Sequence, residues 1–490
     1  MASLSKLYIC NIMMNKQICN PYLPTYEYVP DGEIHIFDGR AYVFGSHDRF
    51  SGEKFCMNDY VCWSAPVDDL KSWTYHGVIY RREQDPTPIR FLQHHMWAPD
   101  CVQGADGRYY LYYALEWLNR VAVAVCDTPC GKYEFYGEVR YQNGIRYGGM
   151  GKELSRFDPG VLNDSGRFYL YTGFSYPHSG WIARKMKMQI KALGNQVVEL
   201  ASDMLTVISE PKPLLPGINS KNRDGFEGHE FFEASSMRKF DGKYYAVYSS
   251  VKGRELCYAV SDYPDRDFVY GGVLHDNGNV KDGCDATFYW GNNHGCLARI
   301  NGNYYVFGHR QTYKNHYSRQ GVAEPIVFEN GRFLQAEMTS QGLNGQPLSC
   351  TDEYEAGVAC VLYRKKPCCH NEKKKRKDPY ITQDGADREC DPMQYIANMR
   401  SGTVAGYKYF NIPENGVQLT LILRRHNCKG VLQIAHDDKF TDLREEAILS
   451  DEVSFSLNSK GKRAIFLRFI GKGSIDLIKL KWSDNEKASL

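Results

Sequence analysis

A short pattern recurs five times in the first two thirds of the chain: a turn with glycine, one further residue, then an aromatic-rich apolar run. The five turn glycines, which follow one another at intervals of about 60 to 75 residues, are Gly39, Gly107, Gly166, Gly242 and Gly302. Asp-Gly or Asn-Gly between two apolar runs favours a β-hairpin, because both residues tolerate a positive φ. The interval suits a blade of four antiparallel strands, so the repeat predicts an all-β fold built on a five-bladed β-propeller.

Each repeat also has an ionisable residue seven to nine positions before its glycine. These residues are Asp31, Asp100, Asp158, Glu233 and His294. The first strand of every blade lines the central channel of a propeller, so the five side chains are expected to converge on one axis. A single Asp before a strand usually caps a turn, but five ionisable residues at matched positions favour a functional site, since gathered charges are costly unless solvated, paired or used.

Carboxylates that lie within a few ångströms of one another cannot keep equal pKa values. One is raised and stays protonated while another stays ionised, which is the division of labour that glycoside hydrolysis requires. The sequence has no Gly-x-Ser-x-Gly, no phosphate-binding Gly-Lys-Ser/Thr loop and no His-Glu-x-x-His, so it lacks the usual signatures of serine hydrolases, P-loop enzymes and zinc proteases.

Residues 20 to 340 resemble glycoside hydrolase family 43, whose members are five-bladed inverting enzymes. The matching stretches are Val29-Pro30-Asp31-Gly32-Glu33, Trp97-Ala98-Pro99-Asp100, Phe157-Asp158-Pro159-Gly160, Phe231-Phe232-Glu233-Ala234-Ser235 and Asn293-His294-Gly295. Each stretch alone is weak, but the set in this order is specific. The chain departs from the family at the first stretch, where Gly32 stands in place of a frequent proline.

The resemblance implies the catalytic roles. Asp31 is similar to the general base that activates water, and Glu233 is similar to the general acid that protonates the leaving oxygen. Asp158 is similar to the residue that raises the pKa of the acid and positions it. Glu227 and Glu230 lie close to Glu233 in sequence, and Glu230 is the alternative acid.

Five further residues are predicted to bind substrate. The resemblance implies that His294 lies on the axis, beside a structural calcium ion or its waters, and that Arg319 reaches the pocket. The position of Asp100 in its repeat also places it at the axis, although a pocket-wall or structural role is open. Trp97 is predicted as a sugar platform, with a core tryptophan equally open, and Asp48 as a residue that faces the pocket, with a turn cap as the alternative.

The repeat stops near residue 340. We predict a catalytic domain over 1–340, a connector over 341–351 and a jelly-roll-like β-sandwich over 352–490, because short alternating strands follow one another there. Two stretches, Ala405-Gly406-Tyr407-Lys408-Tyr409-Phe410 and Gly471-Lys472-Gly473-Ser474-Ile475-Asp476-Leu477, resemble family 6 carbohydrate-binding modules. A purely structural appendix is the alternative. The basic stretch over 365–377 is interpreted as a solvated loop, and Cys368, Cys369 and His370 lack the spacing of a zinc site.

The overall charge is nearly balanced, with 60 basic and 58 acidic residues, which gives no reason to expect a nucleic-acid partner. No apolar stretch reaches the roughly 18 residues of a membrane span, and no export signal is recognised. We therefore expect a cytoplasmic protein with reduced thiols and no membrane partner. The oligomeric state is not predicted.

Together these features predict an exo-acting, inverting glycoside hydrolase that removes terminal pentose units from oligosaccharides, as an α-L-arabinofuranosidase, a β-xylosidase or both. No cofactor is expected to be required for the chemistry. Galactofuranosidase or β-galactosidase specificity on the same fold is the first alternative. A carbohydrate-binding propeller without catalysis and a protein scaffold are the others.

Overall fold

The computed structural model describes residues 19–87, 94–149, 154–175, 193–277, 286–365 and 377–484. The export-signal prediction concerns the first 18 residues, and the loop and zinc interpretations concern mainly 366–376. These predictions therefore lie outside the described residues.

Five sheets follow one another along the chain, and each contains one of the predicted hairpins. Their strands pair antiparallel except for one short parallel pair in the third sheet. The first two are β1 Glu33–Phe37, β2 Arg40–Phe44, β3 Tyr60–Pro66 and β4 Thr74–Tyr80, then β5 Met96–Gln103, β6 Tyr109–Leu115, β7 Ala122–Cys126 and β8 Glu134–Glu138. The third is β9 Arg140–Tyr141, β10 Gly160–Asp164, β11 Arg167–Gly173, β12 Asn195–Leu200, β13 Thr206–Val207 and β14 Lys212–Pro213. The last two are β15 Phe231–Phe240, β16 Lys243–Ser250, β17 Leu256–Ser261 and β18 Val269–His275, then β19 Leu297–Ile300, β20 Asn303–Gln311 and β21 Arg319–Pro325.

The predicted turn chemistry is seen in the hairpins. In the first blade Asp38 and Gly39 have φ values of 47° and 73°, and the corresponding pairs of the third, fourth and fifth blades also have two positive values. Two successive positive values are typical of the type I′ turn, whose twist matches that of the strands. In the second blade only Gly107 is positive, at 83°, so this hairpin has a different turn.

The first strands of the blades form a closed ring. Each of the strands β1, β5, β10, β15 and β19 contacts the next, and β19 contacts β1. A parallel bridge joins Gly32 to Gly295 where the ring closes. A Cβ at Gly32 would lie 2.9 Å from the Tyr22 hydroxyl, which accounts for a glycine at this position. The five-bladed propeller is therefore confirmed.

Neighbouring blades are joined by side chains at the start of their first strands. Asp100 Oδ2 accepts a hydrogen bond from the Val161 amide at 2.8 Å, and Asp158 Oδ2 accepts one from the Ala234 amide at 3.1 Å. In both cases a carboxylate of one blade satisfies a backbone donor of the next. A buried amide without such a partner would be costly.

The C-terminal part of the chain is also β-structure, so the all-β class holds for both regions. Two short strands, β22 Phe328–Glu329 and β23 Arg332–Phe333, follow the last blade. The remaining strands form one connected sheet: β24 Leu348–Ser349, β25 Glu353–Glu355, β26 Val361–Arg364, β27 Tyr380–Gln383, β28 Gln394–Met399, β29 Thr403–Ile412, β30 Val417–Ala435, β31 Leu443–Ile448, β32 Glu452–Leu457 and β33 Gly461–Asp484. The predicted domain limits stay predictions.

Helical structure among the described residues is limited to three single turns, Arg82–Gln84, Gly342–Asn344 and Ala356–Val358. No helix there is long and apolar enough to cross a membrane. Cys390 is disulfide-bonded, contrary to the expectation of reduced thiols, while eleven other described cysteines are free.

An ion pair between a buried carboxylate and a partly exposed guanidinium joins the two regions. Arg388 Nη1, from the C-terminal region, donates to both carboxylate oxygens of Glu27 at 2.6 and 2.8 Å. Trp63 Nε1 donates to the same carboxylate at 3.0 Å. Burial favours the neutral acid, but Arg388 and His47 outweigh it and lower the pKa of Glu27 to about 2. Glu27 is therefore charged, and Arg388 is its compensating cation.

We expect Arg388→Ala to lower the free energy of unfolding by about 3–5 kcal/mol, because it leaves a buried carboxylate without its cation. Denaturant unfolding at pH 7 measures the loss. Arg424→Ala is the matched control: its partner Asp384 is 48% exposed, and breaking an exposed pair costs at most about 1 kcal/mol. Equal losses in the two variants would contradict the prediction.

Candidate active site

The structure brings three of the predicted carboxylates together at the axis of the propeller. Asp31 precedes β1, Asp158 precedes β10, and Glu233 lies in β15. His294 Nδ1 lies 3.7 Å from Asp158 Oδ2 and 4.0 Å from Asp31 Oδ1. The Asp158 carboxylate also accepts the amide of Ala234, the residue after Glu233. All of these side chains are buried.

An unusual backbone holds the carboxylates in place. Asp31 and Asp158 have φ values of 58° and 45°, a conformation that Asp tolerates better than most residues. Ala234 has a φ of 69° beside a register shift in the β15–β16 pairing. A bulge of this kind redirects the neighbouring side chain, and here that side chain is Glu233. Strained residues of this type concentrate at functional sites.

Asp31 lies beside the guanidinium of Arg319 and the imidazole of His309. Arg319 Nη1 donates to Asp31 Oδ1 at 2.9 Å, and His309 Nδ1 lies 3.1 Å from the same oxygen. Burial alone would raise the pKa of Asp31, but Arg319 and His309 outweigh it and hold the pKa well below its usual range. Asp31 is therefore the ionised member of the cluster.

A second carboxylate fixes Arg319. Asp48 Oδ2 accepts from the Arg319 backbone amide at 3.0 Å and from Nε at 2.9 Å, and Asp48 Oδ1 accepts from Nη2 at 3.1 Å. The Asp48 carboxylate also accepts a hydrogen bond from the Cys56 amide at 2.9 Å. Asp48 is fully buried, so its contacts hold the guanidinium that meets Asp31.

Glu233 and Asp158 have the opposite electrostatic character. Burial, reinforced by the charge of Asp31, raises the pKa of Glu233 to about 7, although a hydrogen bond from Asn292 Nδ2 at 2.8 Å opposes the rise. Burial and the charges of Glu233 and Asp31 raise the pKa of Asp158 well above its usual value. One pocket thus contains an ionised carboxylate and a carboxyl group that keeps its proton near neutral pH.

Asp100 lies in a deeper layer of the channel. His35 Nε2 lies 2.6 Å from Asp100 Oδ1, and the Val161 amide donates to Oδ2. Glu33, two residues after Asp31, belongs to this layer and pairs with Arg238. His294 spans the two layers, because its Nε2 lies 3.9 Å from Glu33 Oε1 while its Nδ1 faces Asp31 and Asp158. Asp100 is therefore occupied by protein partners rather than grouped with the three carboxylates.

Trp97 begins a row of aromatic rings beside the site. Its ring centroid lies 5.0 Å from that of Phe157, which precedes Asp158. The row continues through Phe174 to Phe232, which precedes Glu233, with centroid separations of 4.9 and 5.5 Å. Trp97 is partly exposed, and its Nε1 has no hydrogen-bond partner among the described residues. The alternative acid, Glu230, is paired with Arg223 at 2.6 Å.

Sequence reasoning missed His309, Asn292 and Glu33. Glu33 could have been found, because it is the first residue of β1, the axial strand that follows Asp31. His309 lies in β20, which pairs with the axial strand β19, and no repeat position singled it out. Asn292 is two residues before His294, and its φ of 52° is typical of asparagine in a turn.

The comparisons with known proteins agree with this geometry. The family model described as Glycosyl hydrolases family 43 matches residues 20–225. A xylosidase/arabinosidase of Thermoclostridium stercorarium is 46% identical over 432 residues, which cover 86% of this chain and 88% of the relative. The chain belongs to glycosyl hydrolases family 43. It is accordingly an inverting glycoside hydrolase.

Two further relatives cover a smaller share of the chain. A xylosidase/arabinosidase of Bacteroides ovatus is 31% identical over 312 residues, covering 59% of this chain and 87% of the relative. A solved β-xylosidase structure superposes with a TM-score of 0.50 at 26% identity, covering 64% of this chain and 96% of that one. The 46% identical relative, by contrast, extends over 86% of the chain, beyond the share matched by the other two.

We expect Glu233→Gln to stabilise the folded protein at pH 8 and to change its stability little at pH 4. A carboxyl group whose pKa is raised on folding destabilises the native state only above its unfolded pKa, and the penalty is complete above the folded pKa. With a folded pKa of about 7 against 4.5, the neutral amide removes about 3 kcal/mol. Denaturant unfolding of both proteins at the two pH values measures this, and an equal effect at both would contradict it.

Proposed function

We propose that this family 43 enzyme is an exo-acting hydrolase that releases terminal α-L-arabinofuranose or β-xylose from oligosaccharides, with Asp31, Asp158 and Glu233 as its catalytic residues. The opposite protonation of Asp31 and Glu233 within one buried pocket carries the proposal, because inverting hydrolysis requires one base and one acid. The printed activity of the relatives, xylosidase/arabinosidase in the two described above, supports the pentose. Galactofuranosidase and β-galactosidase specificities are the alternatives on the same site.

In this mechanism Asp31 accepts a proton from water as the water oxygen bonds to the anomeric carbon. Glu233 donates its proton to the glycosidic oxygen as the bond between that oxygen and the anomeric carbon breaks. The attack comes from the face opposite the leaving group, so the anomeric configuration inverts. Asp31 is then protonated and Glu233 ionised, and exchange of protons with solvent restores both. Arg319 and His309 keep Asp31 ionised before the attack.

Asp158 acts on the acid in two ways in this proposal. Its contact with the Ala234 amide fixes the backbone directly after Glu233. The Coulomb repulsion between the two carboxyl groups also opposes ionisation of either one. Both effects favour a Glu233 that is held in one orientation with its proton in place.

For substrate binding, we propose direct contacts from Trp97, His294 and Arg319. The partly exposed Trp97 ring suits the apolar face of a sugar. Asp48 contributes to substrate binding indirectly, because it holds Arg319 in place. Asp100 also contributes indirectly, as part of the deeper layer that lies beneath His294. The oligosaccharide is the partner that this arrangement fits.

We also infer a site for a structural calcium ion beside His294. Glu33 Oε1 is buried without a hydrogen-bond partner among the described residues and lies 3.9 Å from His294 Nε2. A carboxylate oxygen is a ligand that calcium prefers. Glu33, His294 and waters would hold the ion, and its charge would offset that of the surrounding carboxylates. No step of the hydrolysis requires it.

For this site we expect calcium to raise the melting temperature of the wild-type protein and to leave that of Glu33→Gln unchanged. Magnesium serves as the control cation, because it gives up its waters less readily than calcium. Differential scanning calorimetry after chelator treatment measures the shift. An equal calcium effect in both proteins would place the ion elsewhere.

The C-terminal region supports a structural rather than a sugar-binding role. We propose that its strands form the predicted β-sandwich, since β32 alternates exposed and buried residues along its whole length. Trp482 is buried against Phe410, with ring centroids 4.7 Å apart. Arg424 lies over one face of the Tyr395 ring and Lys314 over one face of the Tyr380 ring, and both tyrosines also line a cavity.

Hydrolysis of nitrophenyl β-xyloside and α-L-arabinofuranoside tests the activity, with the matching galactosides as the specificity controls. We expect Asp31→Ala to lower kcat by several powers of ten on every active substrate. Glu233→Gln should retain more activity on a dinitrophenyl glycoside than on an alkyl one, because a good leaving group needs no acid. Proton NMR of the first product anomer tests inversion.

The outcomes separate the competing functions. Absence of turnover on all glycosides, with binding retained, would favour a carbohydrate-binding propeller. Full activity of Asp31→Ala would remove Asp31 as the base. Equal loss of activity on good and poor leaving groups would remove Glu233 as the acid.

A further inference from the structure

A short segment of the C-terminal region, residues 383–388, lies against the first blade. We call it the buttress segment. Within it, Asp387 Oδ1 accepts a hydrogen bond from the Phe50 backbone amide at 2.6 Å, and Asp387 Oδ2 accepts one from Asn58 Nδ2 at 3.0 Å. Phe50 and Asn58 belong to the loop 48–58 that connects β2 to β3. One carboxylate therefore ties together two distant points of this loop.

The loop 48–58 carries the group that fixes Arg319. Asn58 Nδ2 donates to the Asp48 carbonyl at 3.0 Å as well as to Asp387. The Cys56 amide donates to the Asp48 carboxylate. The position of Asp48 thus depends on the closed shape of the loop, and the buttress segment helps to close it.

Asp48 in turn determines where Arg319 meets Asp31. Its carboxylate accepts hydrogen bonds from the guanidinium at Nε and Nη2 and a third from the Arg319 backbone amide. The remaining Nη1 donates to Asp31 at 2.9 Å. The chain of contacts from Asp387 to Asp31 therefore consists of consecutive hydrogen bonds between buried or half-buried groups. A displacement of the loop changes the strongest positive contact of Asp31.

The buttress segment also contacts the stretch that leads into Asp31. Tyr28 Oη donates to Gln383 Oε1 at 2.7 Å, and Arg388 forms the ion pair with Glu27 described above. Tyr28 is three residues before Asp31. The segment is thus in contact with both parts of the chain, 27–31 and 48–58, that build the surroundings of Asp31.

From these contacts we propose that Asp387 is a positioning residue for hydrolysis: through the loop 48–58 it holds Asp48 and Arg319 in the arrangement that keeps Asp31 ionised. The C-terminal region is then a part of the catalytic apparatus rather than an appendix. The proposal rests on the proposed role of Asp31 as the base.

The pH profile distinguishes positioning from simple stabilisation. The ionisable groups that face Asp31 are Arg319, His309, His294, Asp158 and Glu233, and Asp48 and Cys56 face Arg319. Of these, only Asp48 and Cys56 lie in the loop that Asp387 contacts. A loosened loop weakens the hold on Arg319, so the pKa of Asp31 rises and the acidic limb of the profile moves to higher pH.

The experiment uses the full chain and the glycoside on which the wild type is most active. We expect Asp387→Ala to lower kcat/KM about tenfold to a hundredfold, the scale of a misplaced catalytic group, and to move the acidic limb upward by about half a pH unit or more. Asp387→Asn keeps an acceptor for the Phe50 amide, so it should show a smaller change in the same direction. If the alanine variant fails to fold, Asp387→Asn tests the proposal in its place.

Asp384→Ala is the matched control. Asp384 lies in the same segment, but it is exposed and pairs with Arg424 of its own region, so its variant should keep the wild-type profile. Melting temperatures are measured for all four proteins. An unchanged acidic limb in the Asp387 variants, whatever the change in kcat/KM or melting temperature, would overturn the proposal. Lack of turnover in the wild type would instead overturn the proposed function.

Discussion

The active site depends on one buried guanidinium that two carboxylates share. Arg319 is contacted by Asp48 on one side and by Asp31 on the other, and all three are removed from water. Carboxylates crowded on an axis repel each other and prefer to be neutral. Arg319 lets one of them remain ionised, while Glu233 and Asp158 are left in surroundings that favour their protons. The difference between base and acid is therefore produced by the placement of a single cation.

The propeller fold allows Arg319 to lie between Asp31 and Asp48 at a moderate cost in stability. Its five inner strands start on the same side of the ring, so residues far apart in sequence meet without a dedicated loop for each. Residues at these starting positions also connect neighbouring blades, since Asp100 and Asp158 accept hydrogen bonds from backbone amides of the following blade. Site and scaffold thus use the same residues. This agrees with the strained φ of Asp31, Asp158 and Ala234, which the surrounding ring stabilises.

The sequence predicted the repeated part of this architecture and little of what is not repeated. Turn glycines at regular intervals identified the blades, and the matched positions of Asp31, Asp158, Glu233 and His294 identified the residues that meet at the axis. Asn292, His309 and Asp387 follow no period. The role of Asn292 arises from a turn and that of His309 from strand pairing within the last blade. The role of Asp387 arises from a contact with Phe50, which is 337 residues away in sequence. The pairing of Asp48 with Arg319 follows no period either, so the sequence did not predict it. The disulfide of Cys390 carried no signal in a chain expected to have reduced thiols.

The shared guanidinium also has a consequence for synthesis of the protein. Asp31 leaves the ribosome early, whereas Arg319 follows 288 residues later and Asp387 later still. Until Arg319 has been synthesised, the nascent chain contains the acidic residues of the pocket without the cation that compensates Asp31. Burial of these residues is therefore unfavourable at that stage. The catalytic pocket can therefore mature only near the end of translation, and a product of premature termination would present open blades without a competent centre.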